Sequence, residues 1–188
     1  MASVNPGNTL QKTWHALPRR DGAPLPFWQD IKAQHLAPVM SHLWVLEHAP
    51  AFHMFVKFMG TEVTRLGGRD TTGDDFLNTR IPANQRPYIM SIYRNVYEAK
   101  CGVCLTRIVN PLGGTAKQLR TTFFPLAHEV AGRWLLLGCS YMENYGSAGL
   151  LNDSGTADYG TTRMFAPNYV DIGFGLPDLQ TLPTALTA

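Results

Sequence analysis

LWVLEHAPAFHMFVKFMG, residues 43–60, reads as two strands joined by a short turn. Leu43 to Glu47 is an apolar run stopped by Ala49-Pro50. Phe52, Met54, Val56 and Phe58 then alternate with His53, Phe55 and Lys57 until Gly60 breaks the pattern. A period of two places successive side chains on opposite faces of a sheet, and about three linking residues make a hairpin. A pair of strands thus stands ahead of everything helical between Gly60 and Gly102.

That middle stretch is punctuated by Gly67, Gly68 and Gly73. Short helical pieces are expected at Thr61 to Leu66 and after Asp74-Asp75, where acidic residues suit a helix N-terminus. A longer helix is expected from Arg86 to Ala99, with Pro87 in its first turn and Ile89, Ile92, Tyr93 and Val96 on one face. Strands return with Val103, Leu105 and Arg107 alternating with Cys104, Thr106 and Ile108. A turn at Asn110 to Gly114, a strand from Lys117 to Pro125, a turn at Ala127 to Gly132 and a strand from Arg133 to Met142 complete the pattern. The fold class is α+β: a five-stranded antiparallel sheet of two strands, a helical middle and three strands. Helices inserted in this way cover one face of the sheet and can enclose a cavity.

Residues 43–145 therefore form the expected domain. In the arm at 1–42, about the first ten residues read as loose, and Trp28, Ile31, Lys32 and His35 give an amphipathic flanking helix ending before Pro38. Its Trp28/Ile31 stripe is the expected dimer element. Residues 146–188 have one Arg against four Asp and many Gly, Ser, Thr and Pro, the composition of a tail that is partly flexible. Met164-Phe165, Tyr169-Val170 and Ile172 to Phe174 are its candidates for docking.

A 188-residue chain with 45% hydrophobic and 16% charged residues suits one domain with extensions. No apolar run reaches the roughly 18 residues of a spanning helix, and the N-terminus lacks the apolar core of a signal peptide. A cytoplasmic protein away from membranes is expected. A net charge of +2, with no basic run beyond Arg19-Arg20, gives no footprint for nucleic acid. Cys101 and Cys104 lack a second pair or neighbouring His to make four metal ligands, and three Cys do not make a disulfide framework. Among His15, His35, His42, His48, His53 and His128 there is no metal-site spacing, and no Ser or Cys sits on a nucleophile elbow. Gly113-Gly114-Thr-Ala-Lys117 has the wrong spacing for a phosphate loop, and Asp70, Asp74 and Asp75 read as helix caps rather than a cation loop. No metal site and no catalytic set are expected.

Gly60-Thr61-Glu62, then Gly68-Arg-Asp-Thr-Thr-Gly73, then Phe124-Pro125-Leu126-Ala127 resemble the bacterial PAS-like family of PAS_5 type. Gly60, Thr61, Gly68, Asp70, Thr72 and Gly73 match its motif turn. Pro125 and Leu126 match its later strand, and Leu17-Pro18-Arg19-Arg20-Asp21 its opening. The resemblance covers about Leu17 to Tyr145 and implies a PAS fold used for sensing and for protein contact. Such domains that hold haem typically use a His on the long helix, and those that attach flavin use a reactive Cys in the helical middle. Residues 85–99 have no His and 61–80 no Cys, so haem and covalently attached flavin are disfavoured.

A sensory or regulatory domain, not an enzyme, is the expected function. It would bind a small molecule or a protein partner, act as a homodimer through the N-terminal helix, and pass its signal to an output partner. Phe52, Met54, Phe58, Ile89, Tyr93, Leu105 and Phe123 are the expected cavity residues. The alternative is a small enzyme or binding protein on a cone-shaped fold of the nuclear-transport-factor type, though that fold opens with long helices. A solid-cored interaction module is the third.

Overall fold

A single antiparallel sheet runs through the molecule with a layer of helices on each face. The structure is a computed structural model and describes residues 5–109, 117–144 and 161–178. In chain order it has α1 (Pro6–Ala16), a 3-10 turn (Trp28–Asp30), α2 (Ala33–Leu36) and a second 3-10 turn (Ala37–His42). The hairpin β1 (Leu43–Ala49) and β2 (His53–Met59) comes next, then α3 (Thr61–Gly67), α4 (Phe76–Arg80) and α5 (Arg86–Glu98). The chain continues with β3 (Gly102–Val109), β4 (Lys117–Ala127), β5 (Trp134–Asn144), β6 (Thr161–Met164) and β7 (Asn168–Val170). Strand order is β2-β1-β5-β4-β3-β6, with β7 also paired to β3. The α+β class and the two-strand, helix, three-strand order agree with the sequence.

The inner face packs Trp44, Leu46, Met54, Val56, Phe123 and Leu136 against Ile89, Ile92, Tyr93 and Val96 of α5. The outer face packs Val45, Phe124, Leu126, Leu135 and Leu137 under Leu10, Trp14, Leu17, Leu36 and Val39. Two-sided burial explains why the central strands are apolar almost throughout.

Three expectations are corrected. The first residues are no loose arm from Asn5 on: the Asn5 side chain caps α1 by accepting from Asn8 N at 3.1 Å, and Pro6 stands at its first position. Leu10, Trp14 and Leu17 then seal the outer face. The amphipathic helix expected around Trp28 is only a 3-10 turn followed by the four residues of α2. Phe27 there makes a bridge to Ala127, so the chain follows the sheet instead of coiling.

Phe58 points away from the inner face. A bulge lets Val45 pair with Phe58 while Leu46 pairs with Val56, so Lys57 is the extra residue. The alternation inverts there, and Phe58 joins the outer core. The docking candidates of the tail do pack on the domain, and the described parts of the tail add β6 and β7 to the sheet. Met164 and Tyr169 pack on the inner core and Ile172 on the outer one. The expected turn at Asn110 to Gly114 and the segment 146–160 lie outside the described residues.

Candidate functional site

The motif residues build an edge, not a pocket. Asp70 accepts from Thr72 N at 2.8 Å and Thr72 Oγ1 at 2.7 Å, closing a tight turn. Gly73, at φ 91°, then donates to Val56 O at 2.8 Å, and Val56 N donates to Asp74 O at 3.0 Å. The turn thereby occupies backbone groups of the outer strand β2 that would otherwise be open to another chain. Gly68, at φ 78°, ends α3 in the left-handed region that favours glycine. Gly60 starts α3 against the Met40 and Ser41 carbonyls, where no side chain fits. Thr61, the first residue of α3, is exposed.

Pro125 and the opening segment meet on the outer face. Trp14 Nε1 donates to Pro125 O at 3.0 Å and its ring stacks on Phe124. The Arg19 guanidinium lies 4.7 Å from the Trp14 ring centre, and Arg20 pairs with Asp30 and Glu129. The motif at 17–21 thus fastens the N-terminal layer to the sheet.

Between the inner face and the helices lies a chamber of about 260 Å³. Trp44, Leu46 and Met59 form its wall on the hairpin side, Val63, Leu66, Phe76 and Ile81 its helical wall. Ile89 and Tyr93 of α5 and Leu105, Leu119 and Met164 of the sheet complete the apolar lining. The polar lining is Arg80, Arg107, Thr121 and Ser140.

Two of those polar groups are joined to each other and to the Trp44 indole. Trp44 Nε1 donates to Ser140 Oγ at 3.0 Å, and Ser140 Oγ lies 3.1 Å from Thr121 Oγ1. The indole N–H and two hydroxyls bring three protons to two hydrogen bonds, so one hydroxyl proton stays available. Arg107 faces the same space, two residues along β3 from Leu105, the partner of Thr121. Its Nε is buried without a hydrogen-bond partner among the described residues. Burial pushes the guanidinium pKa below its ordinary value, opposed by the nearby Tyr93 hydroxyl. Burial also pushes the Tyr93 hydroxyl up, so it is neutral at any ordinary pH.

Of the cavity residues expected from sequence, Ile89, Tyr93 and Leu105 line the chamber. Met54 and Phe123 are buried in the inner core beneath it, Phe52 packs at that core's margin, and Phe58 lies across the sheet. Sequence reasoning missed Trp44, Thr121 and Ser140, which meet only through the β1–β5 and β4–β5 registers. It also passed over Arg107, whose charge at an inward strand position was the available signal.

Cys101 and Cys139 are buried, and burial pushes their thiols to about 11 and about 12, far from the thiolate form. Among the described residues no three His, Cys, Asp or Glu side chains gather as metal ligands. None of the described helices is long and apolar enough to cross a membrane.

No match was found among curated proteins. The profile of the PAS_5 family, described as a PAS domain, matches residues 2–141, from before α1 to within β5. With that match and a 2-1-5-4-3 sheet with inserted helices, the chain belongs to the PAS_5 family of PAS domains.

Proposed function

We propose that this PAS domain is a sensor that holds a small molecule between its sheet and its helices and signals through protein contact rather than catalysis. The observation that carries the reading is the chamber. It has an apolar wall with a few convergent polar groups, the composition of ligand sites generally. Its volume, about 260 Å³, lies just below the range of about 300–1,000 Å³ common for such sites, so only a small molecule would fit. The outer face of the sheet is filled by the N-terminal layer, which leaves the chamber side for ligand.

Output would pass to a partner protein or a second copy of the chain. Trp28 and Ile31, the stripe first assigned to a dimer, pack partly buried on the chain's own outer core. A dimer contact would therefore use the outside of the N-terminal layer.

Native mass spectrometry with an absorbance scan of freshly purified protein tests the reading. A retained small molecule, or hydrogen-exchange protection of α3, α5 and β3 on adding a metabolite panel, is the expected result. An empty protein whose exchange no metabolite alters would instead support an interaction module with an unoccupied core.

A further inference from the structure

The chamber contains a cation that meets no carboxylate among the described residues of its lining. Arg107 projects inward from β3 between Leu105 and the end of the strand, and its Nε is sealed from solvent with no partner among the described residues. Arg80 adds a second positive group to the lining, and among the described residues no Asp or Glu lines the chamber. Among the described residues Arg80 Nη2 donates to the Arg69 carbonyl, at 3.4 Å. Elsewhere in the molecule, carboxylates meet their cations at short range: Glu47 with Arg133 and Lys57, Asp30 with Arg20, Glu143 with Arg120.

A buried guanidinium donor without a partner is costly, and a snorkelling arginine would carry its head to water. Arg107 is half-buried, and its Nε is sealed away without a partner among the described residues. Beside it stand Thr121 and Ser140, one of whose hydroxyl protons is left over after the Trp44 chain is made. Guanidinium and hydroxyl on one wall, facing aliphatic and aromatic side chains, match a molecule charged at one end and apolar at the other.

Building on the sensing reading above, we propose that the chamber binds a small organic acid. Its carboxylate would pair with Arg107 and accept from the Thr121–Ser140 hydroxyls, while its apolar body packs on Ile89, Tyr93 and Leu105. The planar fork of a guanidinium fits a carboxylate through two parallel hydrogen bonds. The small volume and largely apolar wall exclude a bulky phosphorylated metabolite.

The test uses the full chain and a set of arylalkanoic and branched-chain alkanoic acids of four to ten carbons, each beside its own primary amide. Phenyl phosphate is included as the competing anion. Binding is read by calorimetry and by the shift in thermal unfolding. At least one acid is expected to bind ten-fold or more tighter than its amide and than phenyl phosphate. Arg107→Gln should abolish that preference while its unliganded melting temperature stays at or above that of the parent, since an unpaired buried charge has been removed. Equal binding of acid and amide, or binding of amides alone, overturns the carboxylate assignment and leaves the sensor. Tighter phenyl phosphate overturns it in favour of a phosphate site. An Arg107→Gln protein that keeps the acid preference removes Arg107 from the role. Should nothing bind, the acid proposal fails, and the sensing reading fails with it only if the metabolite panel is silent too.

Discussion

The rings of Trp44 and Phe123 meet 5.5 Å apart across Gly138, the residue that pairs with both of them in the sheet. A Cβ on Gly138 would fall inside the Trp44 indole. The absent side chain lets Trp44 lie along the chamber wall and reach Ser140 with its N–H.

Gly138→Ala should therefore displace Trp44 and break its bond to Ser140. Overpacking a rigid core costs about 1–3 kcal/mol, and the loss should appear in urea unfolding together with a changed near-ultraviolet dichroism. A variant with parental stability and an unchanged aromatic signal would mean that the strand shifts freely, and that the ring contact does not hold the wall.

Gly60 tests a different constraint. Its own φ of −71° suits any residue, so the requirement is space: the Met40 and Ser41 carbonyls occupy the position of a Cβ. Backbone cannot swing aside as a side-chain end can. Gly60→Ala should destabilise by about 2 kcal/mol or more, whereas Gly22→Ala, at a turn open to solvent with φ 71°, should lose only about 1 kcal/mol through its backbone conformation. Denaturant unfolding of the pair decides between them. Equal losses would show that α3 can move away from the 3-10 turn at no cost.

Glu47 gives the molecule an acid limb. It is buried on the outer face, where burial raises its pKa, but hydrogen bonds from Lys57 at 3.0 Å and Arg133 at 2.6 Å outweigh this and hold it below its ordinary value. Because the folded value is lowered, its stabilisation is complete above the unfolded value of about 4.3 and is lost as pH falls through the folded one. Glu47→Gln should cost about 1–3 kcal/mol at pH 7. That gap should stay constant down to about pH 5 and narrow below about pH 4. Thermal unfolding of both proteins from pH 7 to pH 3 measures it. Parallel curves over the whole range would show that the pairing contributes nothing specific to the charged form.

The main sheet was legible because its signals are local. Val103, Leu105 and Arg107, or Ile89, Ile92, Tyr93 and Val96, repeat with periods that neighbouring residues cannot imitate by chance. Phe58 defeated the same logic because one bulged residue, Lys57, inverts a strand's faces and leaves no trace in composition. Helix α1 was missed because Pro6-Gly7-Asn8-Thr9 is a weak helical start by propensity, although Asn5 and Pro6 make a proper cap and Leu10, Trp14 and Leu17 the buried stripe. Half of the chamber was beyond sequence altogether. Thr121 and Ser140 become neighbours only when β4 and β5 pair in one register, and Met164 only when a strand from the tail finds β3.

The tail itself supplies the last test. Tyr169 is buried in the inner core opposite Val103, and Ile172, three residues on, is buried in the outer core. One short segment thus clasps both layers, while Met164, ahead of it on β6, lines the chamber beside Arg107. Without it β3 would be an open edge. Tyr169→Ala should lose about 3 kcal/mol, as expected for a large buried ring. Phe174→Ala, at a residue 49% exposed, should stay within about 0.5 kcal/mol. Hydrogen exchange should show β3 amides deprotected in the first variant and unchanged in the second. If both variants match the parent, β6 and β7 do not hold the sheet in solution, and the chamber is open at the Arg107 end. If only Tyr169→Ala loosens β3, a segment outside the matched PAS region holds the strand that carries Leu105 and Arg107 of the chamber wall.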